Sequence, residues 1–254
     1  MSSTFQAPQH TSGAKRSGCA LVTGGGVRIG RSIALTLAAA GYSVAIHHHR
    51  SVEGAEETAS EIRAGGGDAR LFQADLSDAD RCRRLARETM EWKGSWRVLV
   101  NSAAVFFDND AGLSVEESWR QQSAINLMAP YILSMAFAEH LPKQGRGTII
   151  NLLDARLRRP GGDHLLYRLT KAALAHLNSC LAEEFAPRVR VNAIAPGALL
   201  APPGESEEEM QLRLEAEIPL GLPPERSIST TIQYLLDEPF VTGQIINLDG
   251  GQYS

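Results

Sequence analysis

The sequence has little of what marks several classes of protein. It contains three cysteines among 254 residues, Cys19, Cys82 and Cys180, and their wide spacing fits neither a metal site nor a disulfide framework. No apolar run reaches the roughly 18 residues that a membrane span needs. The net charge is −4, whereas general nucleic-acid binders are usually basic. We therefore expect a cytoplasmic protein with reduced, buried thiols, and no metal, membrane or nucleic-acid partner.

The N-terminal residues 1–17 are polar and lack the apolar segment of a secretory signal. We expect them to form a mobile tail. Residues 18–254 contain no internal repeat and no linker long enough to divide them. This length is sufficient for one α/β domain with a substantial core.

Strand-like and helix-like segments alternate along this domain. Strands are predicted at 19–22, 42–47, 69–73, 97–101, 147–152, 189–194 and 244–248. Helices are predicted at 29–40, 53–63, 79–92 (capped by Asp78), 115–140 (with a bend near Pro130), 165–185 and 230–236. The alternation predicts a single Rossmann-type, doubly wound α/β domain, with a seven-stranded parallel sheet covered by helices on both faces. Ligands of such sheets lie at the carboxyl ends of the strands.

The stretch from Val22 to Gly30 is rich in glycine and lies between the first predicted strand and the first helix. Glycines at such a turn let the backbone approach a pyrophosphate, and the helix N-terminus attracts the anion. A tight turn without a ligand is the alternative. Arg28 stands where a third glycine is expected.

The second strand ends in His47-His48-His49-Arg50-Ser51. A fold that binds NAD usually has an acidic residue here for the ribose hydroxyl, but none occurs before Glu53. Arg50, with His47 or His49 and Ser51, would instead attract a 2′-phosphate, which favours NADP. Neighbours on a strand point to opposite faces, so the three histidines cannot converge on a metal. A solvated strand end is the remaining alternative.

Tyr167 and Lys171 are four residues apart on a predicted helix and share a face. An ammonium group near the phenol lowers the tyrosine pKa and makes Tyr167 a usable general acid. Asp154 follows the fifth strand, and the Asn126 amide in the preceding helix could hold a water or a backbone carbonyl. The alternative is an ordinary amphipathic pair.

Together these motifs resemble the short-chain dehydrogenases/reductases. The resemblance rests on Thr23-Gly24 to Gly30, Asn101-Ser102-Ala103-Ala104, Asn126, Tyr167, Lys171, Pro196-Gly197 and Asp249-Gly250-Gly251. Within that superfamily the chain is most similar to the pteridine reductases. Five features carry this closer match: Arg28, the run from His47 to Ser51, Phe106, the segment Asn126 to Tyr131, and Asp154 in place of the usual serine.

The resemblance implies NADPH as cofactor and a pterin as substrate. The implied cofactor-binding residues are Gly24, Arg28, Ile29, Gly30, His47, His49, Arg50, Ser51, Asp75, Leu76, Asn101, Ala103, Lys171, Pro196 and Gly197. The implied substrate-binding residues are Arg28, Phe106, Asp154, Tyr167 and Leu199. A homotetramer is also implied.

In the implied mechanism, Lys171 holds the nicotinamide ribose, Asn126 anchors a relay water, and Tyr167 with Asp154 delivers a proton to a pterin nitrogen. Phe106 would stack on the pterin, while the adjacent Phe107 is expected in the core. Asp154 would raise the pKa of Tyr167 and Lys171 would oppose this, and the sequence leaves the balance open.

Two other functions compete with this reading. The first is an NADPH-dependent reductase of a 3-oxoacyl thioester, a sugar or another carbonyl, for which Arg28 and Asp154 are unnecessary. The second is a non-catalytic NADP-binding regulator, for which the Asn126, Tyr167 and Lys171 set is unnecessary. A substrate loop is expected at about 199–226, where residues 201–217 match no pattern in the family, and Asn101-Ser102-Ala103-Ala104 also departs from the usual motif.

Overall fold

A computed structural model describes residues 17–107, 112–197, 206–214, 217–221, 224 and 226–253. The strands are β1 (Cys19–Val22), β2 (Ser43–His48), β3 (Ala69–Gln73), β4 (Trp96–Asn101), β5 (Gly147–Leu152), β6 (Val189–Pro196) and β7 (Ile245–Leu248). The α-helices within the described ranges are α1 (Arg28–Ala39), α2 (Val52–Ala64), α3 (Ala79–Lys93), α4 (Val115–Ser123), α5 (Ala129–His140), α6 (Leu165–Glu184), α7 (Glu207–Leu214) and α8 (Ser227–Asp237).

The seven strands form one parallel sheet in the order β3-β2-β1-β4-β5-β6-β7. This confirms the predicted seven-stranded, doubly wound α/β fold. The chain first extends the sheet from β1 towards β3 and then returns to place β4 on the other side of β1. The crossovers separate at this reversal of strand order, which leaves a crevice beyond the carboxyl ends of β1 and β4.

Alternating side chains on the central strands supply the two larger apolar cores. In β1, Leu21 faces one core, whereas Ala20 and Val22 face the other. The first core packs against α3, α5 and α6, and Trp96 meets Phe137 there edge to face at 4.9 Å. The second packs against α1, α2 and α8. Burial on both faces explains why these strands are almost continuously hydrophobic.

One predicted helix is interrupted. The expected helix over 115–140 is divided into α4, a π-helical turn (Ala124–Met128) and α5. The irregularity lies at Asn126 and not at Pro130, which sits in the first turn of α5, where its missing N–H costs little. The π-helical turn carries an extra residue per turn and so changes where Asn126 points.

Asp78 caps α3, accepting hydrogen bonds from the backbone N–H groups of Asp80 and Arg81. A short 3-10 turn, Ala155–Arg158, was not predicted.

Cys19 and Cys82 are buried as expected, but Cys180 is exposed. Within the described ranges, no helix is both long and apolar enough to cross a membrane. The predicted tail, apart from Ser17, and residues 199–205, 215–216, 222–223 and 225 of the predicted 199–226 loop lie outside the described residues.

Candidate active site

A cavity of about 870 Å³ opens at the carboxyl edge of the sheet. Nearly all of the predicted site residues line it: Gly24, Arg28, Ile29, Gly30, His47, His49, Arg50, Ser51, Asp75, Leu76, Ala103, Phe106, Asp154, Tyr167, Lys171, Pro196 and Gly197. Asn101 and Asn126 do not line it, and Leu199 lies outside the described residues. The volume is within the range of pockets that enclose small molecules and cofactors.

The glycine turn is built by close backbone approach. A Cβ on Gly30 would lie 2.1 Å from the Gly24 carbonyl oxygen, so only glycine fits at position 30. Thr23 fixes the turn to the end of β4, because its hydroxyl accepts hydrogen bonds from the backbone N–H groups of Ser102 and Ala103 at 2.9 and 3.0 Å. The N-terminus of α1 therefore faces the cavity on a rigid support, as an anion site requires.

Arg28 opens α1 with a φ of +53°, in the left-handed region that favours glycine. An L residue there costs roughly 1–2 kcal/mol. This conformation gives a physical reason for the glycine that the family pattern has at this position. Arg28 lines the cavity despite this cost.

His47 contacts the glycine turn and stabilises it. Its Nδ1 accepts a hydrogen bond from the Gly24 backbone N–H at 3.1 Å, and its Nε2 lies 3.0 Å from the Ala74 carbonyl oxygen. Burial lowers the pKa of His47 to about 4. The imidazole is therefore neutral, with both nitrogens bound to backbone groups. The prediction that it would attract a 2′-phosphate as a charged group is corrected, because the ring positions the glycine turn.

This arrangement predicts an acid-sensitive fold. The pKa of His47 is about 4 in the folded chain and 6.5 ordinarily, so the unfolded chain binds more protons between these values. The free energy of unfolding should therefore fall by about 3 kcal/mol as the pH falls through this window. Urea unfolding of His47→Gln should show a flatter pH dependence than the parent chain, whereas His176→Gln, at an exposed histidine, should not. Equal slopes for all three proteins would contradict the role of His47.

The end of β2 supplies the exposed polar groups of the cavity. His49, Arg50 and Ser51 are all exposed, and all three line the cavity. His48 points to the other side of the strand and is buried. The predicted alternation of the three histidines is thus what the structure shows, and Arg50, His49 and Ser51 are the exposed polar side chains at this corner of the cavity.

Tyr167, Asp154 and Lys171 meet at the end of β5. Burial, the charge of Asp154 and a hydrogen bond to its carboxylate all raise the pKa of Tyr167 far above 10. The Lys171 ammonium donates to the Leu152 carbonyl oxygen at 2.7 Å and lies 5.7 Å from the centre of the Tyr167 ring. Burial lowers the pKa of Lys171 to about 8.

The expectation that Lys171 lowers the pKa of Tyr167 is therefore wrong, because the pKa is raised by burial and by Asp154. Asp154 and burial decide the balance that the sequence left open. A phenol with a raised pKa keeps its proton at neutral pH. The Tyr167 hydroxyl is thus protonated and hydrogen-bonded to the Asp154 carboxylate.

Asn126 and Asn101 act behind the cavity wall. The Asn126 Oδ1 accepts from the Val105 backbone N–H at 2.8 Å, while its Nδ2 donates to the Val105 carbonyl oxygen at 2.9 Å. The side chain thus binds a backbone carbonyl, one of its two predicted partners. Asn101 donates to Asn151 at 2.9 Å, within the sheet. Both residues position the β4 exit segment and do not face the cavity.

Phe106 is the exposed aromatic of the site. It is 44% exposed, and its ring centre lies 4.9 Å from that of Tyr167 and 4.1 Å from that of His164. The alternative that it belongs to the core is therefore wrong. Phe107, expected in the core, is only partly buried and lines the same cavity.

Sequence reasoning missed several residues of this site. His164 and Arg156 contact the Phe106 ring, and Arg120 and Gln121 line the cavity. Arg156 follows Asp154 by two residues, which was the one local signal available. Arg120 and Gln121 reach the cavity from α4, whose inward face the hydrophobic pattern did not distinguish, and His164 lies directly before α6.

The glycine turn lies where the strand order of the parallel sheet reverses, and the Tyr-Lys pair lies at the same edge of the sheet. Together these features define an NAD(P)-dependent oxidoreductase. The family model described as short chain dehydrogenase matches residues 18–212, and the chain belongs to this family.

Two groups of relatives are similar to the chain. The 3-oxoacyl-[acyl-carrier-protein] reductase FabG of Staphylococcus aureus (strain Mu50) is 34% identical over 246 residues, covering 94% of this chain and 99% of the relative. The crystal structure of FolM alternative dihydrofolate reductase 1 from Brucella canis, complexed with NADP, has 35% identity and a TM-score of 0.86, with 94% of each chain covered. The same protein from Brucella suis, also with NADP, has 36% identity and a TM-score of 0.85, covering 92% of this chain and 95% of the relative.

Proposed function

We propose that the protein is an NADPH-dependent reductase of pterins. The observation that carries this proposal is the Asp154 carboxylate hydrogen-bonded to Tyr167, beside the exposed ring of Phe106. Overall identity does not separate the two groups of relatives, since the values are 34% and 35–36%. The proposal is therefore supported by the chemistry of the side chains in the cavity.

A carboxylate at position 154 suits a nitrogen heterocycle better than a ketone. Its charge raises the pKa of Tyr167, which weakens the phenol as an acid towards a simple carbonyl oxygen. Ring N–H groups of a pterin would donate hydrogen bonds to the carboxylate and compensate its charge. Tyr167 and Asp154 together would then supply the proton to the ring nitrogen.

The cavity also suits the cofactor. The glycine turn and the N-terminus of α1 would hold the pyrophosphate, and Arg50 with His49 and Ser51 would hold the 2′-phosphate. Lys171, fixed by the Leu152 carbonyl, would hold the nicotinamide ribose. When bound, NADPH supplies the hydride. Phe106 would hold the flat substrate ring by stacking, at on the order of 1 kcal/mol beyond area burial.

Reduction of a 3-oxoacyl thioester is the second candidate, favoured by the similarity to the FabG reductase. The two are separated by testing the purified chain with NADPH against dihydrobiopterin, dihydrofolate and acetoacetyl thioesters. We expect kcat/KM for a pterin to exceed that for the thioester by roughly 100-fold, because Asp154 opposes carbonyl reduction. A preference for the thioester would overturn the proposal, and no NADPH oxidation with any substrate would favour the regulator.

Arg28 provides a further prediction. Arg28→Gly should lower kcat/KM for a pterin by roughly 100-fold while changing the Kd for NADPH less than about fivefold, because the guanidinium would contact the substrate as well as the phosphate. The free energy of unfolding should change by less than about 1 kcal/mol, since relief of the left-handed φ is offset by the greater freedom of an unfolded glycine. Steady-state kinetics and fluorescence titration measure the two effects.

Arg31→Ala is the matched control for this experiment. Arg31 lies one helical turn after Arg28 in α1. It forms a salt bridge with Glu61 and does not line the cavity. It should leave pterin turnover and NADPH binding close to the parent values. A larger loss of NADPH affinity than of pterin turnover in Arg28→Gly would assign Arg28 to the cofactor alone.

We propose that the chain acts as a homotetramer. Helices α4, α5 and α6 carry a set of exposed apolar side chains, namely Val115, Trp119, Tyr131, Met135, Leu165 and Leu169. Exposed apolar surface of this kind is typical of an interface. Light scattering after size-exclusion chromatography measures the mass of the assembly and so tests whether it contains four chains.

A further inference from the structure

Thr170 is a buried residue of α6 that neither the implied mechanism nor the proposed function uses. It lies three residues after Tyr167 and directly before Lys171. The residue is 0% exposed and does not line the cavity. Its hydroxyl donates a hydrogen bond to the Tyr167 carbonyl oxygen at 2.7 Å. Threonines in helices often bind a carbonyl of the preceding turn in this way, so this contact alone indicates no role in the reaction.

A second contact of the same hydroxyl reaches another segment of the chain. The Asn126 Nδ2 donates a hydrogen bond to the Thr170 Oγ1 at 3.2 Å. Asn126 is itself completely buried, and its other two hydrogen bonds, of 2.8 and 2.9 Å, join it to the backbone of Val105. One side-chain network therefore connects Tyr167 with Val105, the residue that precedes Phe106.

The donors and acceptors of this network match. A hydroxyl has one hydrogen, which Thr170 gives to the Tyr167 carbonyl, so the group that faces its lone pairs must be a donor. That donor is the Asn126 amide nitrogen, whose two hydrogens go to Thr170 and to the Val105 carbonyl oxygen. The Asn126 amide nitrogen thus has no hydrogen left for a relay water, and the side chain serves to join two segments. Buried hydrogen bonds connected in this way strengthen one another.

The network joins the two segments that carry the aromatic rings of the site. Tyr167 is the third residue of α6, and the ends of helices fray more readily than their centres. Phe106 lies in the segment without regular secondary structure that follows β4. The two rings meet edge to face, with their centres 4.9 Å apart. The hydrogen bonds of Thr170 and Asn126 therefore set the spacing between these two rings.

We propose that Thr170 is a positioning residue for the reduction, whose hydroxyl acts through Asn126 to hold the Tyr167 phenol in register with a substrate that lies against Phe106. The inference rests on the proposed role of Tyr167 as proton donor. Proton transfer needs the donor within hydrogen-bond reach of the acceptor, and a displacement of about 1 Å caused by a distant substitution can cost roughly 100-fold in rate. Because Thr170 does not line the cavity, its loss should slow the chemical step without weakening binding.

The test is Thr170→Val, which keeps the shape of the side chain and removes the hydroxyl. We expect kcat for dihydrobiopterin or dihydrofolate to fall about tenfold, while KM for the pterin and Kd for NADPH change less than about threefold. Single-turnover oxidation of NADPH measures the chemical step, and fluorescence titration measures cofactor binding. Thr170→Ser should restore kcat to within about threefold of the parent value, because serine keeps the hydroxyl.

Thr36→Val is the matched control. Thr36 is a buried threonine of α1 whose hydroxyl also donates to a carbonyl of its own helix, that of Ser32, at 2.7 Å. This variant should keep the parent kcat. The inference would be overturned by a parent-like kcat in Thr170→Val, by an equal loss in Thr170→Ser, by the same loss in Thr36→Val, or by a loss confined to KM.

If Thr170→Val fails to fold, Thr170→Ala and Thr170→Ser form the deciding pair. Both variants lack the methyl group and only the serine keeps the hydroxyl, so equal kcat values in this pair would overturn the inference.

Failure of the proposed function is a separate result. A parent enzyme that reduces an acetoacetyl thioester and no pterin would overturn pterin reduction alone. The same variants assayed on the thioester would then test Thr170, because Tyr167 would be the proton donor for that substrate as well. A parent enzyme that reduces none of these substrates would overturn both proposals.

Discussion

Replacing Tyr167 with phenylalanine should lower kcat for pterin reduction by roughly 1,000-fold, because the variant loses the proton donor. The Kd for NADPH should stay within about threefold of the parent value, since Lys171 is held by Leu152 independently of the phenol. Single-turnover oxidation of NADPH, followed by absorbance, measures the chemical step, and fluorescence titration measures cofactor binding.

Tyr234→Phe is the matched control, since Tyr234 is an exposed tyrosine on α8 that does not line the cavity. It should turn over at the parent rate. Tyr167→Phe also removes the hydrogen bond between Tyr167 and Asp154, because phenylalanine has no hydroxyl group. Parent-like turnover in Tyr167→Phe would remove the catalytic assignment.

Replacing Arg50 with aspartate should raise the Kd for NADPH roughly 100-fold, because the exposed guanidinium is replaced by a carboxylate that repels the 2′-phosphate. The Kd for NADH should change less than about threefold, since NADH lacks that phosphate and distant charges are screened by salt. Titration of both cofactors at one ionic strength gives the two constants.

Arg87→Asp makes the same change of net charge on the outer side of α3 and is the control for a general electrostatic effect. It should leave both constants close to the parent values. Equal weakening of NADPH and NADH by Arg50→Asp would show that Arg50 does not recognise the 2′-phosphate, and the choice of cofactor would then have to come from His49 and Ser51.

Most residues of the site could be predicted because the fold brings them to one edge of the sheet. In a parallel sheet, whatever follows each strand arrives at one edge, so the glycine turn after β1, Arg50 after β2 and Asp154 after β5 were each identified by position in the chain. Tyr167 and Lys171 needed only helical spacing. These are local patterns combined with one rule of topology.

Other features of the site depend on contacts between distant segments, which the sequence does not show. His47 turns inward to bind Gly24 and Ala74, which come from two other segments. Asn126 lies in a π-helical turn that no spacing rule indicated, and it binds Val105. Phe106 and Phe107 are adjacent and similar, yet both line the cavity although only one was expected there.

The sequence by itself determined the order of strands and helices, the doubly wound sheet and the set of side chains at its carboxyl edge. These follow from the spacing of apolar residues, glycines and caps along the chain. Only the tertiary structure decided that Tyr167 is held by Asp154, that His47 is neutral and that Arg156 lies over Phe106. The reason is physical: ionisation and side-chain direction depend on burial and on charges from distant segments, which become neighbours only when the chain folds.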